Sequence, residues 1–303
     1  MSAGKGSPVR AILYAFVANL CIAIAKLATA LYTGSGSMMA EAIHSFADTG
    51  NQILLYIGLK SAEKEPDEDH PLGYGKLSYF WSFIVALMLF SVGGLFSIYE
   101  GLHKLSEPGE LNQIWIGLII LGFAIIIETF SLLGALREAK LMRGDKTLFT
   151  WLKHTRNAEI VVVIGEDFAA ILGLVIAFMF LGATWMTGNP IYDALGSICI
   201  GIVLVLIAMF LVVRLQSLLV GKSAEPDLRN LIDELIADHD EIQEVLNVIT
   251  LQMGPKVMLA AKIAIAPDVT VGHAVTLINE LERNLKSAFP EIGWCFIEPD
   301  NTD

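Results

Sequence analysis

The chain has 303 residues, of which 54% are hydrophobic and 17% charged, and its mean hydropathy is +0.61. A water-soluble enzyme of this size is excluded, because its surface needs about a quarter of its residues charged. The 20 Lys and Arg against 32 Asp and Glu give a net charge of −12, which excludes a nucleic-acid binder. Cys21, Cys199 and Cys295 are scattered without CxxC spacing and form neither a disulfide framework nor a thiolate zinc site. The composition is that of a membrane protein.

A helical span needs roughly 20 apolar residues, and six windows supply them. Ala11 to Tyr32 carries Lys26 as its one charge, and Ser37 to Leu59 carries Glu41, His44 and Asp48. Leu77 to Tyr99 has no charge, and Ile114 to Leu136 has Glu128 alone. Ile160 to Gly182 carries Glu166 and Asp167, and Ala194 to Val213 is again uncharged. The first apolar run is too long for a signal-peptide core and lacks a small-residue cleavage site. The Lys and Arg of the connections fall on one side, with Lys104 alone on the other. By the positive-inside rule both termini are expected in the cytoplasm.

Residues 1–220 thus read as a six-helix membrane domain and 221–303 as a soluble one. From Lys222 to Asp303 there are 15 acidic and 6 basic residues, which is most of the net charge. Leu228, Leu231, Ile232, Leu235 and Ile236 recur at helical spacing after Pro226. Glu244 to Met253 and Lys256 to Ile265 read as strands joined at Gly254-Pro255. Ala274, Leu277, Ile278, Leu281, Leu285 and Ala288 form a second helical stripe, and Ile292 to Ile297 a last strand. The order αββαβ predicts a small ferredoxin-like α+β sheet with two helices on one face. A domain of about 80 residues is marginal alone, which favours pairing with a second copy.

Each intramembrane charge needs a reason, since hydrocarbon penalises it by several kcal/mol. His44 and Asp48, four apart, share one helix face, and Glu41 extends that face outward. An imidazole and a carboxylate one turn apart can both reach one metal ion. The same pair also serves as hydrogen bonds between helices or as a proton relay. Asp167 adds a second carboxylate that calls for a cation or a proton. Its neighbour Glu166 points about 100° away around the helix. Glu128 is a proton site, a packing hydrogen bond or a partner for Lys26. Lys26 snorkels or pairs, Glu159 is a solvated helix-end acid, and Asp193 caps the external start of the sixth span. Cys21 and Cys199 are small packing residues. The loop holding Glu63, Glu65, Asp67, Glu68, Asp69 and His70 is a solvated acidic segment or a cation-attracting entrance with a weak site at Asp67 and His70.

The run Ala40-Glu41-Ala42-Ile43-His44-Ser45-Phe46-Ala47-Asp48-Thr49, with His70-Pro71-Leu72-Gly73-Tyr74-Gly75-Lys76, resembles the cation diffusion facilitator family. The six spans and the αββαβ domain extend the resemblance over nearly the whole chain. The stretch from Asn157 to Gly173, with Gly165-Glu166-Asp167, resembles the branch of the ninth human zinc transporter and its bacterial relatives. The resemblance implies a homodimer that exports divalent metal from the cytoplasm in exchange for protons. Zinc is then the expected substrate, and two ligands come from each of the second and fifth helices. Carried over by position, His44 and Asp48 form the second-helix pair and Asp167 half of the fifth. The expected histidine four residues earlier is Val163, so Glu166 or water is the candidate fourth ligand. In the loop His70 is kept but the next motif histidine is Tyr74. In the terminal domain Lys262 and Ile297 stand where metal-binding members place histidines, and His273 alone is retained. That domain is then a dimerisation module without a strong metal site, although His239 and nearby acids are loose candidates.

A neutral His44 with ionised Asp48 and Asp167 binds metal in competition with protons, a physical basis for exchange. An imidazole with carboxylates suits zinc and admits manganese, iron(II) or cobalt. The rival classes are a membrane metalloenzyme, which would need a motif such as HExxH that is missing, and a non-transporting metal sensor or scaffold. The N-terminal sequence has no transit-like character, which points to a bacterial inner membrane.

Overall fold

The computed structural model describes residues 8–107, 109 and 111–302, with side chains from residue 19 onward. Lys5, one of the charges behind the orientation, lies outside them. The chain folds into two units.

The first unit falls within residues 1–57, 81–144 and 159–214, and its described residues are mainly helical. Its elements belong to α1 (Pro8–Thr33), α2 (Gly36–Ala62), α3 (Leu77–Met88), a π-helical turn (Leu89–Leu95), α4 (Phe96–Ser106), α5 (Ile114–Arg143), α7 (Ala158–Thr187) and α8 (Ile191–Gly221). Each of the six apolar windows lies inside one of these helical stretches. By length and hydropathy, four of the stretches among the described residues qualify as spans, beginning at Leu77, Ile114, Ala158 and Ile191. The second window falls short because α2 carries Glu41, His44 and Asp48 among its apolar residues. In α1 the described apolar stretch is the shorter Asn19–Thr33.

On α5, Ile119, Phe123, Ile126 and Phe130 form one exposed stripe while Gly117, Leu121 and Ala124 are buried. So large an apolar stripe on a helix of a charge-poor unit is a lipid-facing surface. Elsewhere small residues allow close helix approach. A Cβ on Gly94 would come within 2.6 Å of Val205 Cγ2, and one on Gly101 within 2.7 Å of the Ala194 carbonyl oxygen. Across the same seam a Cβ on Gly201 would lie 2.7 Å from the Gly94 carbonyl oxygen. Here backbones pack against backbones, the usual device where hydrocarbon supplies no hydrophobic driving force.

The second unit comprises residues 58–80, 145–158 and 215–303. It contains α6 (Leu148–His154), a short helix the apolar pattern does not announce, then α9 (Pro226–Ala237), β1 (Ile242–Met253), β2 (Lys256–Ile265), α10 (Val271–Ala288) and β3 (Ile292–Pro299). The αββαβ order is therefore observed. Pro226 opens α9, where its missing N–H costs nothing. The Thr270 hydroxyl caps α10 by accepting from the His273 backbone N–H. Strand β2 is central, antiparallel to β1 and parallel to β3. A sharp turn at Gly254, with φ of +76°, joins β1 to β2. Val257, Leu259, Ala261 and Ile263 alternate onto one buried face of β2. Ile232 and Ile236 of α9 and Leu281 and Leu285 of α10 join that core, so both helices cover the same face.

The acidic loop packs on itself. Asp67 accepts from the Tyr74 hydroxyl at 2.6 Å and from the His70 backbone N–H at 2.8 Å. These two donors hold the Asp67 carboxyl below its ordinary range. His70 Nδ1 lies 3.4 Å from Asp67, and the His70 and Tyr74 rings pack at a tilt of 33° with centroids 4.2 Å apart. Tyr74, in the place of the motif histidine, therefore closes this turn. The loop docks within its unit on the β1–β2 turn, where a Cβ on Gly75 would collide with the Met253 carbonyl oxygen. The Tyr79 hydroxyl donates to the Gly254 carbonyl at 3.0 Å.

Cys295 of β3 lies in the α9–α10 core, and burial, with Glu282 nearby, pushes its thiol up to about 11. It is thus a protonated, sheltered reporter of folding. Leu281→Ala, at a fully buried site, is expected to cost about 2–5 kcal/mol. In a Cys21→Ala/Cys199→Ala background, maleimide labelling of Cys295 should begin at a lower temperature in that variant than in its parent.

Candidate functional site

Helix α2 brings a polar face into the membrane unit. Its start is fixed by Asp193 in the first turn of α8. That carboxylate accepts from the Ser35 hydroxyl and the Gly36 N–H, both at 2.6 Å, and from the Ser37 N–H and hydroxyl. Asp193, expected to cap its own helix, therefore caps α2, whose first N–H groups have no partner within the helix and, with its dipole, favour an anion. Lys104 adds a bond from its ammonium to the Gly34 carbonyl.

One turn further in, Lys26 of α1 is fully buried. Its ammonium lies 3.3 Å from Glu41 Oε2 and donates to the Ser45 hydroxyl at 2.7 Å. Of the alternatives open for Lys26, pairing is the one adopted, and its partner is Glu41.

A cavity of about 90 Å³ follows, lined by Asn19, Ile22, Ser45, Asp48, Gln52, Leu55, Glu128, Ser131, Val163, Glu166 and Asp167. Three of the four sequence candidates line it: Asp48 from α2, and Glu166 and Asp167 from α7. Each α7 acid has its own neighbour. Asn51 donates to Glu166 Oε1 at 2.7 Å, and Ser131 of α5 donates to Asp167 Oδ2 at 3.1 Å. The divergence expected of adjacent residues on α7 is thus resolved by different helices supplying the donors. Glu128 enters the same cavity from α5, and Val163 presents an apolar wall where the resemblance would put an imidazole.

The fourth candidate, His44, is fully buried but is not among the lining residues. Its Nε2 lies 3.4 Å from Asp48 Oδ2. Its Nδ1 faces the π-helical turn, 3.8 Å from where a Cβ on Gly93 would stand. Neither ring nitrogen has a hydrogen-bond partner among the described residues. A π turn of this kind is a local widening often found at functional sites. Among the described residues no three His, Cys, Asp or Glu side chains are grouped closely enough to hold one metal ion. The carboxylates share a cavity and are held apart in it by their separate donors.

Sequence reasoning missed Ser45, Asn51, Gln52 and Ser131. A signal was available, because residues 41, 44, 45, 48, 51 and 52 recur at helical spacing as one polar stripe. Ser131 likewise lies one turn after Glu128. In the second unit, His273 Nε2 lies 2.5 Å from Glu241, and Lys262 forms a 3.0 Å pair with Asp300.

A model of the cation efflux transmembrane domain matches residues 12–220, and a model of the cation efflux cytoplasmic domain matches residues 224–301. The proton-coupled zinc antiporter SLC30A9, mitochondrial, of Xenopus laevis is 34% identical over 82% of this chain and 44% of its own length. The human protein of that name is 31% identical over the same shares. The chain therefore spans less than half the length of these relatives. The manganese efflux system protein MneP of Bacillus subtilis (strain 168) is 23% identical over 92% of this chain and 91% of its own. With both of its domains matched and its acidic cavity inside an apolar helical unit, the chain belongs to the cation efflux family of membrane transporters.

Proposed function

We propose that this protein exports a divalent metal cation, with zinc the foremost substrate, from the cytoplasm in exchange for protons. The observation that carries the reading is the shared cavity, whose wall includes Asp48 of α2 and Glu166 and Asp167 of α7. Two helices that each present carboxylates to one small space can hold a divalent ion between them and release it by a relative shift, the general scheme of transporters with a midplane site. Asp48 and Asp167 are the metal ligands of this reading, with His44 as the imidazole beside Asp48 and Glu166 in place of the absent fifth-helix histidine. Both carboxylates bind metal only when ionised, so protons arriving from an acidic outer side weaken the site and favour release.

The remaining parts of the reading follow the same reasoning. Six helices span the bilayer, α2 among them, since its polar face is satisfied inside the unit by Asn51–Glu166 and Lys26–Glu41. The Lys and Arg bias supports cytoplasmic termini. The soluble domain of residues 221–303 pairs two copies of the chain, as the dimer domain it matches suggests. The MneP relative comes from a bacterium and the SLC30A9 relatives are mitochondrial by name; a bacterial inner membrane is the placement proposed. The zinc antiporter relatives support zinc and proton exchange.

A second substrate reading is favoured by one feature. The cavity wall offers carboxylate, amide and hydroxyl oxygens, with Val163 where an imidazole would soften the site. Oxygen-rich sites suit manganese better than soft-ligand sites do, and the MneP relative is a manganese efflux protein by name.

The direct test is metal flux into sealed proteoliposomes under an imposed pH gradient. Gradient-dependent zinc uptake by the wild type should disappear in Asp48→Ala and in Asp167→Ala. Absence of flux for every divalent ion tried, in vesicles proven tight, would replace transport with a sensor or scaffold role. The Val163→His variant probes selectivity. An added imidazole should raise the ratio of zinc to manganese transport by about tenfold, the effect of ~1.4 kcal/mol, measured by competition between the two ions.

A further inference from the structure

The Lys26–Glu41 pair is a buried ion pair that the exchange reading does not use. Lys26 is the one fully buried Lys or Arg among the described residues. Side-chain exposure is 1% for Lys26 and 0% for Glu41, so both are shut away from water and lipid headgroups alike. A buried pair of this kind seldom adds stability over apolar residues of the same size, because desolvation offsets the attraction. Its presence therefore invites a reason other than stability.

The geometry supplies one. Glu41, Ser45 and Asp48 lie at positions i, i+4 and i+7 on one face of α2. The Lys26 ammonium reaches that face between the first two, 2.7 Å from the Ser45 hydroxyl and 3.3 Å from Glu41. Ser45 is itself part of the cavity wall. One hydroxyl therefore separates a fixed positive charge from the space lined by Asp48, Glu128, Glu166 and Asp167. A divalent cation entering the cavity would meet that ammonium at short range in a medium of low dielectric, where repulsion is strong.

Glu41 meets the same ammonium and, unlike Ser45, is not among the residues lining the cavity. Its Oε2 takes the lysine, and its Oε1 has no hydrogen-bond partner among the described residues. The carboxylate is pressed against α7 at Gly173, where a Cβ would collide with Oε1. The absence of a side chain at 173 is what lets Glu41 occupy this place. Three helices thus cooperate: α1 brings the cation, α2 the counter-charge and α7 the clearance.

We propose that Glu41 is a charge-balancing residue for metal binding: it cancels the Lys26 ammonium, so that the cavity presents uncompensated carboxylates to an incoming divalent cation. Lys26 in turn orients Ser45 in the cavity wall. This rests on the reading of the cavity as the metal's binding place.

The experiment uses the full-length protein in proteoliposomes, with Zn2+ alone and Mn2+ alone as probes, and compares wild type, Glu41→Gln, Lys26→Met/Glu41→Gln and Asp48→Asn. Glu41→Gln leaves the ammonium bare and should raise KM for both ions about tenfold or more, with kcat within about twofold. The double variant removes both charges and should return KM to within about threefold of wild type, an outcome that a merely structural role for Glu41 would not give. A wild-type KM for Glu41→Gln, or a double variant as impaired as the single one, overturns the proposal. If Glu41→Gln does not fold, the double variant decides alone: near-wild-type KM supports the proposal, and a KM raised about tenfold overturns it. Asp48→Asn separates this proposal from the site reading. Intact transport by that variant would remove the cavity reading, whatever the Glu41 variants do.

Discussion

An ionised side chain in a low-dielectric bundle has to find a partner or leave, and the membrane unit of this protein is arranged around that constraint. Helix α2 carries Glu41, His44 and Asp48 through the apolar unit, and each level of the helix is met by a different neighbour. Asp193 of α8 holds its N-terminal N–H groups, Lys26 of α1 meets Glu41, and Glu166 of α7 accepts from Asn51. A helix too polar to qualify as a span on hydropathy is thereby satisfied by the helices around it. Its polarity is directed inward, while α5 turns Phe123 and Phe130 outward.

Glycine makes these meetings possible. Gly173 lets Glu41 approach α7, and Gly94, Gly101 and Gly201 bring the π turn and α4 against α8 at backbone distance. The second effect bears on His44, because Gly93 in the π turn is the backbone its Nδ1 faces. A Cβ there would stand 3.8 Å from that nitrogen, an ordinary contact, and 3.3 Å from Leu204 Cδ1. The buried histidine has neither nitrogen in a hydrogen bond among the described residues, and its Nε2 lies 3.4 Å from Asp48 Oδ2. The carboxylate beside Nε2 is the polar group nearest to the ring that the geometry shows, so a small shift of either side chain would join or part them.

The carboxylates of the cavity follow a different rule. Glu166 and Asp167 are consecutive and would repel each other if both were ionised and unsupported. The amide of Asn51 draws one toward α2, and the hydroxyl of Ser131 draws the other toward α5. Neutral donors stabilise a carboxylate without filling its coordination capacity, since each oxygen can accept more than one bond. The same oxygens remain available to a cation, and a shift of α7 relative to α2 and α5 would change both partners together. This couples what the cavity can bind to how its helices are placed, a property that an exchanger requires.

The sequence made the apolar windows, the αββαβ order and the costly residues readable, because periodicity and charge in hydrocarbon are local properties. The hairpin at Gly254 and the α9 start at Pro226 were equally plain, since turn and cap chemistry act over a few residues. What stayed hidden was pairing. Asp193 has the right residue type for a helix cap, yet the helix it caps starts more than 150 residues earlier. Lys26 has several acids within a plausible span, and its choice of Glu41 depends on the clearance that Gly173 provides. The place of Asp48 on a shared face was legible from spacing, whereas the absence of His44 from the cavity wall, one turn away on the same helix, was not. Short-range chemistry thus identifies which residues cannot be idle, and only the packing of distant helices decides which of them face one another.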